Sequence, residues 1–311
     1  MSRYATPAAF KEALEARLRS EAQRTARDQN RLRLRLVMDR FAGRVALEYG
    51  EAMVVKGGVV LELRLAEARA TKDLDLHLRG QPGEALSRLQ RAGRSDLGDH
   101  LLFEVQPDPR HPTIDAEGMR YEGLRFRVQA RLAGKRYAGP FGLDAAFAEP
   151  MVGVPDLIAC SDFLHFAGIS APTLRIYPIE THLAEKLHAL TIPRARPNSR
   201  VKDLPDIALL ARVGTIEASV LRRAISQTFA HRGVIPVPAA LPAPPSGWAT
   251  PYQRLAVRDH LPWAVLDAVI EAARAFIDPV LAGGQGLWSP DRWVWMPEEH
   301  QEQGRDDSKD D

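Results

Sequence analysis

Residues 54–78 read VVKGGVVLELRLAEARATKDLDLHL, and no other stretch limits the fold of this chain so tightly. The short apolar run Met53, Val54, Val55 has the composition of a strand and is cut off by Lys56-Gly57-Gly58. Apolar residues at helical spacing follow over 59–65. Asp73-Leu74-Asp75-Leu76-His77-Leu78 then alternates polar and apolar side chains, the two-residue period of a strand with one buried face. Glycines between a strand and a helix let backbone N–H groups approach an anion, and the helix N-terminus adds positive potential. Alternation also puts the Asp73 and Asp75 carboxylates on the same side of one strand, where they repel each other unless a cation lies between them. Mg²⁺, or Mn²⁺ in its place, bound through carboxylates and substrate phosphates meets that need.

The flanking sequence predicts what surrounds this unit. Near the N-terminus, Thr6 can cap a helix, Pro7 suits its first position, and Phe10, Leu14 and Leu18 recur at helical steps. Arg24, Arg27, Arg31, Arg33 and Arg35 follow, either as a salt-bridged, solvated helix or as a basic face for RNA phosphates. Downstream, a helix is expected over 83–92 and strands over 101–105, 124–132 and 141–145. Further helices are expected over 155–166, 178–190, 202–211 and 262–277. Strands separated by helices and hairpins imply an α/β (α+β) fold, a mixed-sheet core with a helical C-terminal domain. The expected division is an N-terminal helical arm over 1–44, the sheet core over 45–154 and the helical domain over 155–296. A proline-rich strap (234–251) lies within the last of these, and an acidic disordered tail covers 297–311.

Composition excludes several classes. Hydrophobic residues make up 45% of the 311, enough for a real core, and the formal net charge of +2 is too small to indicate a partner by itself. A single cysteine, Cys160, rules out an internal disulfide framework and a cysteine-based zinc site. No apolar run approaches the ~20 residues of a membrane span. Met1 leads into charged residues with no secretory h-region, so a cytoplasmic location is expected, with no membrane partner. His182 and His188 lie six residues apart, do not share a helix face, and read as structural. Trp248 and Tyr252 read as packing residues rather than base-stacking ones, and Trp288, Trp293 and Trp295 as anchors of the C-terminal end.

Asp144, alone among the apolar residues of Phe141-Gly142-Leu143-Asp144-Ala145-Ala146, is the candidate third carboxylate on a neighbouring strand. Two further segments carry lysines and acids on helices: YPIETHLAEKLHAL (177–190) and SRVKDLPDIALL (199–210). In this order the motifs resemble the AbiEii/AbiGii family of nucleotidyltransferases, which includes the MenT toxins of type IV toxin–antitoxin pairs. The matching residues are Lys56-Gly57-Gly58, Leu61, Arg64, Arg69-x-Thr71-x-Asp73-Leu74-Asp75, Lys186, Lys202-Asp203 and Asp206. They cover roughly 45–211, and Pro205 departs from the family pattern.

The resemblance implies a nucleotidyltransferase-like core, an NTP substrate and Mg²⁺ held by Asp73, Asp75 and Asp144. Lys56, Gly57, Gly58, Arg69, Thr71, Lys186 and Lys202 would bind the nucleotide, while Lys186 and Asp203 join the three aspartates in catalysis. It also implies an RNA acceptor, in particular a tRNA 3′ end, and a cognate antitoxin. Phosphate added to Thr71 would place negative charge beside the aspartates and block the nucleotide. A small-molecule or protein acceptor, or a non-catalytic RNA- or partner-binding module on the same fold, are the competing readings.

Overall fold

The computed structural model describes residues 4–65, 71–114, 123–192, 200–233 and 235–297. Thr6 accepts a hydrogen bond from the Ala9 N–H and opens α1 (Pro7–Thr25), with Pro7 at the position where its missing N–H costs nothing. Ala26, in the left-handed region at φ 53°, ends that helix, and the Asp28 side chain caps the next, α2 (Gln29–Tyr49). The arginine-rich stretch therefore belongs to a helix pair packed into the protein. Phe10, Leu14, Leu18, Leu36 and Phe41 are all buried in the main hydrophobic core.

The sheet follows. Its strands are β1 (Met53–Lys56), β2 (Asp73–Leu78), β3 (Leu101–Pro107), β4 (Gly123–Leu132), β5 (Lys135–Arg136), β6 (Phe141–Phe147), β7 (Asp156–Ala159) and β8 (Thr173–Ile176). They lie in the order β3-β4-β6-β2-β1-β8-β7, with β5 extending β4 as a hairpin. The sheet is mixed: β2 runs parallel to β6 and β1 to β8, and the other pairs are antiparallel. Helices α3 (Gly58–Arg64) and α4 (Ala85–Arg94) connect β1 to β2 and β2 to β3. One sheet face is apolar and buried, with Leu74, Leu76, Phe103, Val105, Phe126, Val128, Phe141 and Leu143 pointing into it. Phe41 of α2 packs there with ring centroids 5.2 Å from Phe103 and 5.9 Å from Phe141. Burying a side chain of that size contributes about 1.5–3 kcal/mol. Alternation sends Asp73, Asp75, Asp144 and Arg125 to the opposite face.

The helical part comprises α5 (Ile179–Thr191), α6 (Asp203–Leu210), α7 (Ala218–Arg232), α8 (Ala249–Asp259) and α9 (Leu266–Leu281), closed by a hairpin of β9 (Leu287–Ser289) and β10 (Val294–Met296). It has its own core around Leu183, Leu187, Ile207, Leu221, Phe276 and Trp288. Leu61 of α3 also belongs to that core, so the helix after the glycine pair ties the sheet to the helical part. Trp288 donates to the Ala211 carbonyl (2.8 Å), Trp295 to that of Phe276 (2.8 Å) and Trp293 to that of Ala272 (3.2 Å). These bonds make the tryptophans anchors of the C-terminal end. Tyr252 is buried and donates to the Trp263 carbonyl at 2.7 Å, the packing role expected of it. Among the described residues no helix is long and apolar enough to cross a membrane.

Three sequence expectations are corrected. Residues 155–166 form no helix; they supply the edge strand β7 and a short 3-10 turn, His165–Ala167. At an edge Asp156, Leu157 and Ala159 are all exposed, so the two-residue pattern that identifies a strand is missing. Pairing with β8, itself unforeseen, defines β7, and these two strands place part of 155–176 in the sheet rather than with the helices. The last helix runs Leu266–Leu281, later than the expected 262–277. The proline-rich strap is shorter than 234–251, because α8 begins within it at Ala249; the Leu241 N–H pins the strap to Asp278 of α9 (2.7 Å). Nearly all of the expected acidic tail, from 298 onward, lies outside the described residues.

Candidate active site

Strand register builds the centre of the site. Lys56 of β1 lies opposite Asp75 of β2, Asp75 opposite Asp144 of β6, and Asp144 opposite Arg125 of β4. Residues paired across a sheet project to the same face, so this row sets two carboxylates side by side with a cation at each end. Asp73 stands in the next row, opposite Gly142, which in turn faces Arg127.

Two glycines make room for the carboxylates. A Cβ at Gly57 would collide with the Asp75 carboxylate, and the residue's φ of +69° is one that L side chains rarely adopt. A Cβ at Gly142 would lie 2.6 Å from Asp73 Oδ1. Gly58 closes the same turn, and a Cβ there would press on Thr71 at 2.9 Å. Thr71 Oγ1 lies 3.4 Å from the Asp73 N–H and 3.3 Å from its carbonyl, which fixes the approach to β2. The Thr71 N–H itself is held by Glu62 of α3.

Asp75 is half-buried and its carboxyl is pushed up to about 6. Burial is the main cause, the charge of Asp144 adds to it, and Lys56 and Lys186 oppose it. Asp144 is held by Arg125, whose Nε and Nη2 donate to its two oxygens at 2.7 and 2.8 Å. That bidentate pair raises the guanidinium's affinity for its proton. Of the three aspartates expected to hold a metal, Asp75 and Asp144 thus stand side by side with Asp73 in the next row, and Asp144 is engaged by Arg125. Among the described residues no three His, Cys, Asp or Glu side chains are grouped to hold an ion. Asp73 and Asp75, each lying against a glycine that leaves its carboxylate uncrowded, fit a divalent cation as a pair.

The helical part supplies the opposite wall. Lys186 of α5 donates to Asp203 Oδ1 (3.0 Å) and Asp206 Oδ2 (2.7 Å), both on α6 and both fully buried. The two acids together hold one lysine, and Pro205 between them sits in the first turn of α6, where it is tolerated. Lys56 is bound to Glu149 and Glu185, and its ammonium lies 5.4 Å from the Tyr177 ring centre. Arg232 of α7 reaches the same two glutamates at 3.0 and 3.2 Å. Burial pushes the Glu149 carboxyl up, but Lys56 and Arg232 outweigh it and bring it down to about 2. This cluster joins β1, the segment after β6, α5 and α7, so Lys56 serves as a bridge between sheet and helices. His182 is buried in the cleft wall, and neither ring nitrogen has a hydrogen-bond partner among the described residues. Burial holds it well below the ordinary histidine range, hence neutral.

These residues line one cleft of about 780 Å³, which brings together Lys56, Gly57, Gly58, Thr71, Asp73, Asp75, Asp144, Lys186, Lys202 and Asp203. Of the residues expected at the site, Arg69 alone lies outside the described residues. Arg125, Gly142, Glu149, Glu185 and Arg232 had not been singled out from the sequence. Only Glu185, adjacent to Lys186 in a motif, carried any local signal. Of the two readings of the N-terminal arginines, the salt-bridged helix is the one seen for Arg24, Arg33 and Arg35, which have acidic partners. Arg24 pairs with Glu21, Arg33 with Glu15, and Arg35 with Asp39 and Glu62.

A mixed sheet with paired aspartates on a strand after a Gly-Gly turn, facing a lysine-bearing helical wall, defines a nucleotidyltransferase. The model of the family described as nucleotidyl transferase AbiEii toxin, type IV TA system, matches residues 40–279, and the chain belongs to that family. Family membership implies an NTP substrate and an antitoxin partner. In structure the chain is similar to MenT4, a nucleotidyltransferase toxin from Mycobacterium tuberculosis H37Rv. The TM-score is 0.57 at 18% identity, over 92% of this chain and 95% of that one. JHP933 from Helicobacter pylori aligns at TM-score 0.40 and 14% identity over 80% of this chain and 88% of that one. No curated protein matches the chain in sequence.

Proposed function

We propose that this protein moves a nucleoside monophosphate from an NTP to a hydroxyl of an RNA, with the 3′ end of a tRNA as the candidate acceptor. The observation that carries this reading is the row Lys56–Asp75–Asp144–Arg125 with Asp73 beside it, facing Lys186 across the cleft. Asp73 and Asp75 would hold Mg²⁺, which supplies charge stabilisation at the phosphates when bound. The acceptor oxygen forms a bond to the α-phosphorus, the bond from that phosphorus to the bridging oxygen breaks, and pyrophosphate leaves. The hydroxyl proton passes to Asp144, held ready by Arg125. Lys186, oriented by Asp203 and Asp206, stabilises charge on the departing pyrophosphate, and Lys202 at the rim adds to the same field. Gly57 and Gly58 let the triphosphate approach the backbone closely.

Charge favours a polyanionic acceptor over a cationic small molecule. Among the described residues the cleft is lined by seven lysines and arginines against five aspartates and glutamates, with Arg110, Arg200 and Lys202 among the cations. The test incubates the protein with Mg²⁺, each labelled NTP in turn and total tRNA, beside Lys186→Ala. Label should appear on tRNA with wild type and fall about 10²–10³-fold in the variant, the usual cost of removing one preorganised charge donor. Label on the protein or on a small molecule, with none on RNA, would refute the acceptor.

A further inference from the structure

The sheet face that bears Asp75 and Asp144 continues beyond the cleft onto β4, β3 and β5. Along β4 the outward positions are Arg125, Arg127, Gln129 and Arg131, while Phe126, Val128 and Ala130 point the other way into the core. Register places Arg136 of β5 opposite Arg131, and Gln106, Glu104 and Leu102 of β3 opposite Arg127, Gln129 and Arg131. Arg127 and Arg136 are exposed, as are Leu102, Glu104 and Gln106. Among the described residues, β4 and β5 thus bring four guanidiniums to this face, Arg125, Arg127, Arg131 and Arg136, while β3 adds one carboxylate, Glu104, which pairs with Arg131, and Asp144 of β6 holds Arg125 at the cleft end. The Arg131–Glu104 pair is itself substantially exposed, so it holds Arg131 only weakly.

We infer that this open face is the track for the acceptor strand: a single-stranded RNA segment lies along β4, its phosphates on Arg127, Arg131 and Arg136, and its 3′ hydroxyl reaches Asp144. The inference rests on the RNA reading of the cleft and adds the surface that delivers the RNA. Alternate residues of a strand are about 6.8 Å apart, so the file from Arg125 to Arg131 spans about 20 Å, room for several nucleotides. Two features favour nucleic acid over an acidic protein. Arg125, Arg127 and Arg131 stand in one file along β4, interrupted only by the neutral Gln129, with Arg136 beside Arg131, an arrangement suited to a chain of phosphates. The row also ends at the reacting carboxylates, so its occupant enters the site end-first. No aromatic side chain stands among the outward positions of β3 and β4, since Phe103 and Phe126 are buried in the core. Binding here therefore reads backbone charge and not base identity, and it weakens steeply with salt.

The test uses the full chain and a short fluorescent RNA with a free 3′ hydroxyl, followed by anisotropy across a salt series. It compares wild type with Arg127→Glu/Arg131→Glu and with Arg127→Lys/Arg131→Lys. The charge-reversed variant should bind RNA at least tenfold more weakly and show a KM for RNA raised by the same factor. Its kcat at saturating RNA and its Mg-NTP binding by calorimetry should match wild type. The lysine variant should stay within a fewfold of wild type, and RNAs of different sequence should bind alike. A charge-reversed variant that binds and labels RNA as wild type does would overturn the track while leaving the RNA reading intact. If that variant keeps RNA transfer but escapes the antitoxin, the face belongs to a protein partner and the inference is wrong. Wild type that neither binds nor labels RNA, yet labels another acceptor, would remove both.

Discussion

A fully buried acid and a half-buried one lie on opposite sides of the same sheet, and the shifts of their carboxyls differ in sign. On the α2 side, Asp99 is fully buried between two guanidiniums. Arg44 donates to both its oxygens (2.6 and 3.0 Å) and Arg40 to one (2.6 Å). Burial alone would raise its carboxyl, but Arg44 and then Arg40 win and hold it below the usual range. On the cleft side, Asp75 has no such pair and sits beside another carboxylate; its carboxyl is pushed up to about 6. A matched cluster binds α2 to the start of β3, whereas a mismatched one awaits charge from outside. Compensation, more than burial, separates the structural acid from the one proposed to hold the ion.

The sharpest way to break this comparison is to neutralise each acid in turn. Asp73→Asn and Asp75→Asn should each cut nucleotidyl transfer by about 10³-fold or more, since several kcal/mol of charge stabilisation goes with the ion. Neither should lower the unfolding midpoint in the absence of metal. A loss of stability as large as the loss of activity would erase the distinction. Asp99→Ala should do the reverse, leaving Arg44 buried with an uncompensated charge at a cost of about 3–5 kcal/mol. Urea denaturation of the variant, with activity per folded molecule measured alongside, checks it. Full stability would mean that water replaces the carboxylate.

How much of this was legible beforehand follows from the range of each interaction. The unit over residues 53–78 is local: a strand, a glycine turn, a helix and an alternating strand can be read from neighbours in sequence. The same reading places Asp73 and Asp75 on one face. Asp144 was identifiable as a lone acid in an apolar strand, yet its partner Arg125 was not, because that pairing is set by strand register across 19 residues. The same holds for the Glu149 bridge, whose partners lie 93 and 83 residues away in Lys56 and Arg232. For the N-terminal arginines the sequence left a salt-bridged helix and a basic face both open, and the acids that decide it, Glu15 for Arg33 and Asp39 and Glu62 for Arg35, include two brought in from other helices. An edge strand such as β7 leaves no periodic trace, so it was read as a helix.

A third acid lies between the two extremes and gives the finest test. Asp39 of α2 is buried with one cationic partner among the described residues, accepting from Arg35 Nε at 2.7 Å on Oδ1, and the neutral Cys160 thiol lies against it. Burial pushes its carboxyl up to about 6, and Arg35 opposes this without overcoming it. A carboxyl raised in the folded state contributes stability that is full below its unfolded value of 3.8 and is lost as pH climbs through 6. Other acids obscure this in a single curve, so the quantity to follow is the stability of Asp39→Asn minus that of wild type. Arg35 keeps Glu62 in the variant, at 3.3 Å, which limits collateral damage. The difference should rise by about 2–3 kcal/mol between pH 4 and pH 7 and then level off. Chemical denaturation at a series of pH values measures it. A flat difference would mean that Arg35 compensates Asp39 as fully as Arg40 and Arg44 compensate Asp99. One guanidinium would then suffice on this side of the sheet, and Asp75 would stand as the single acid left without a matched charge among the three.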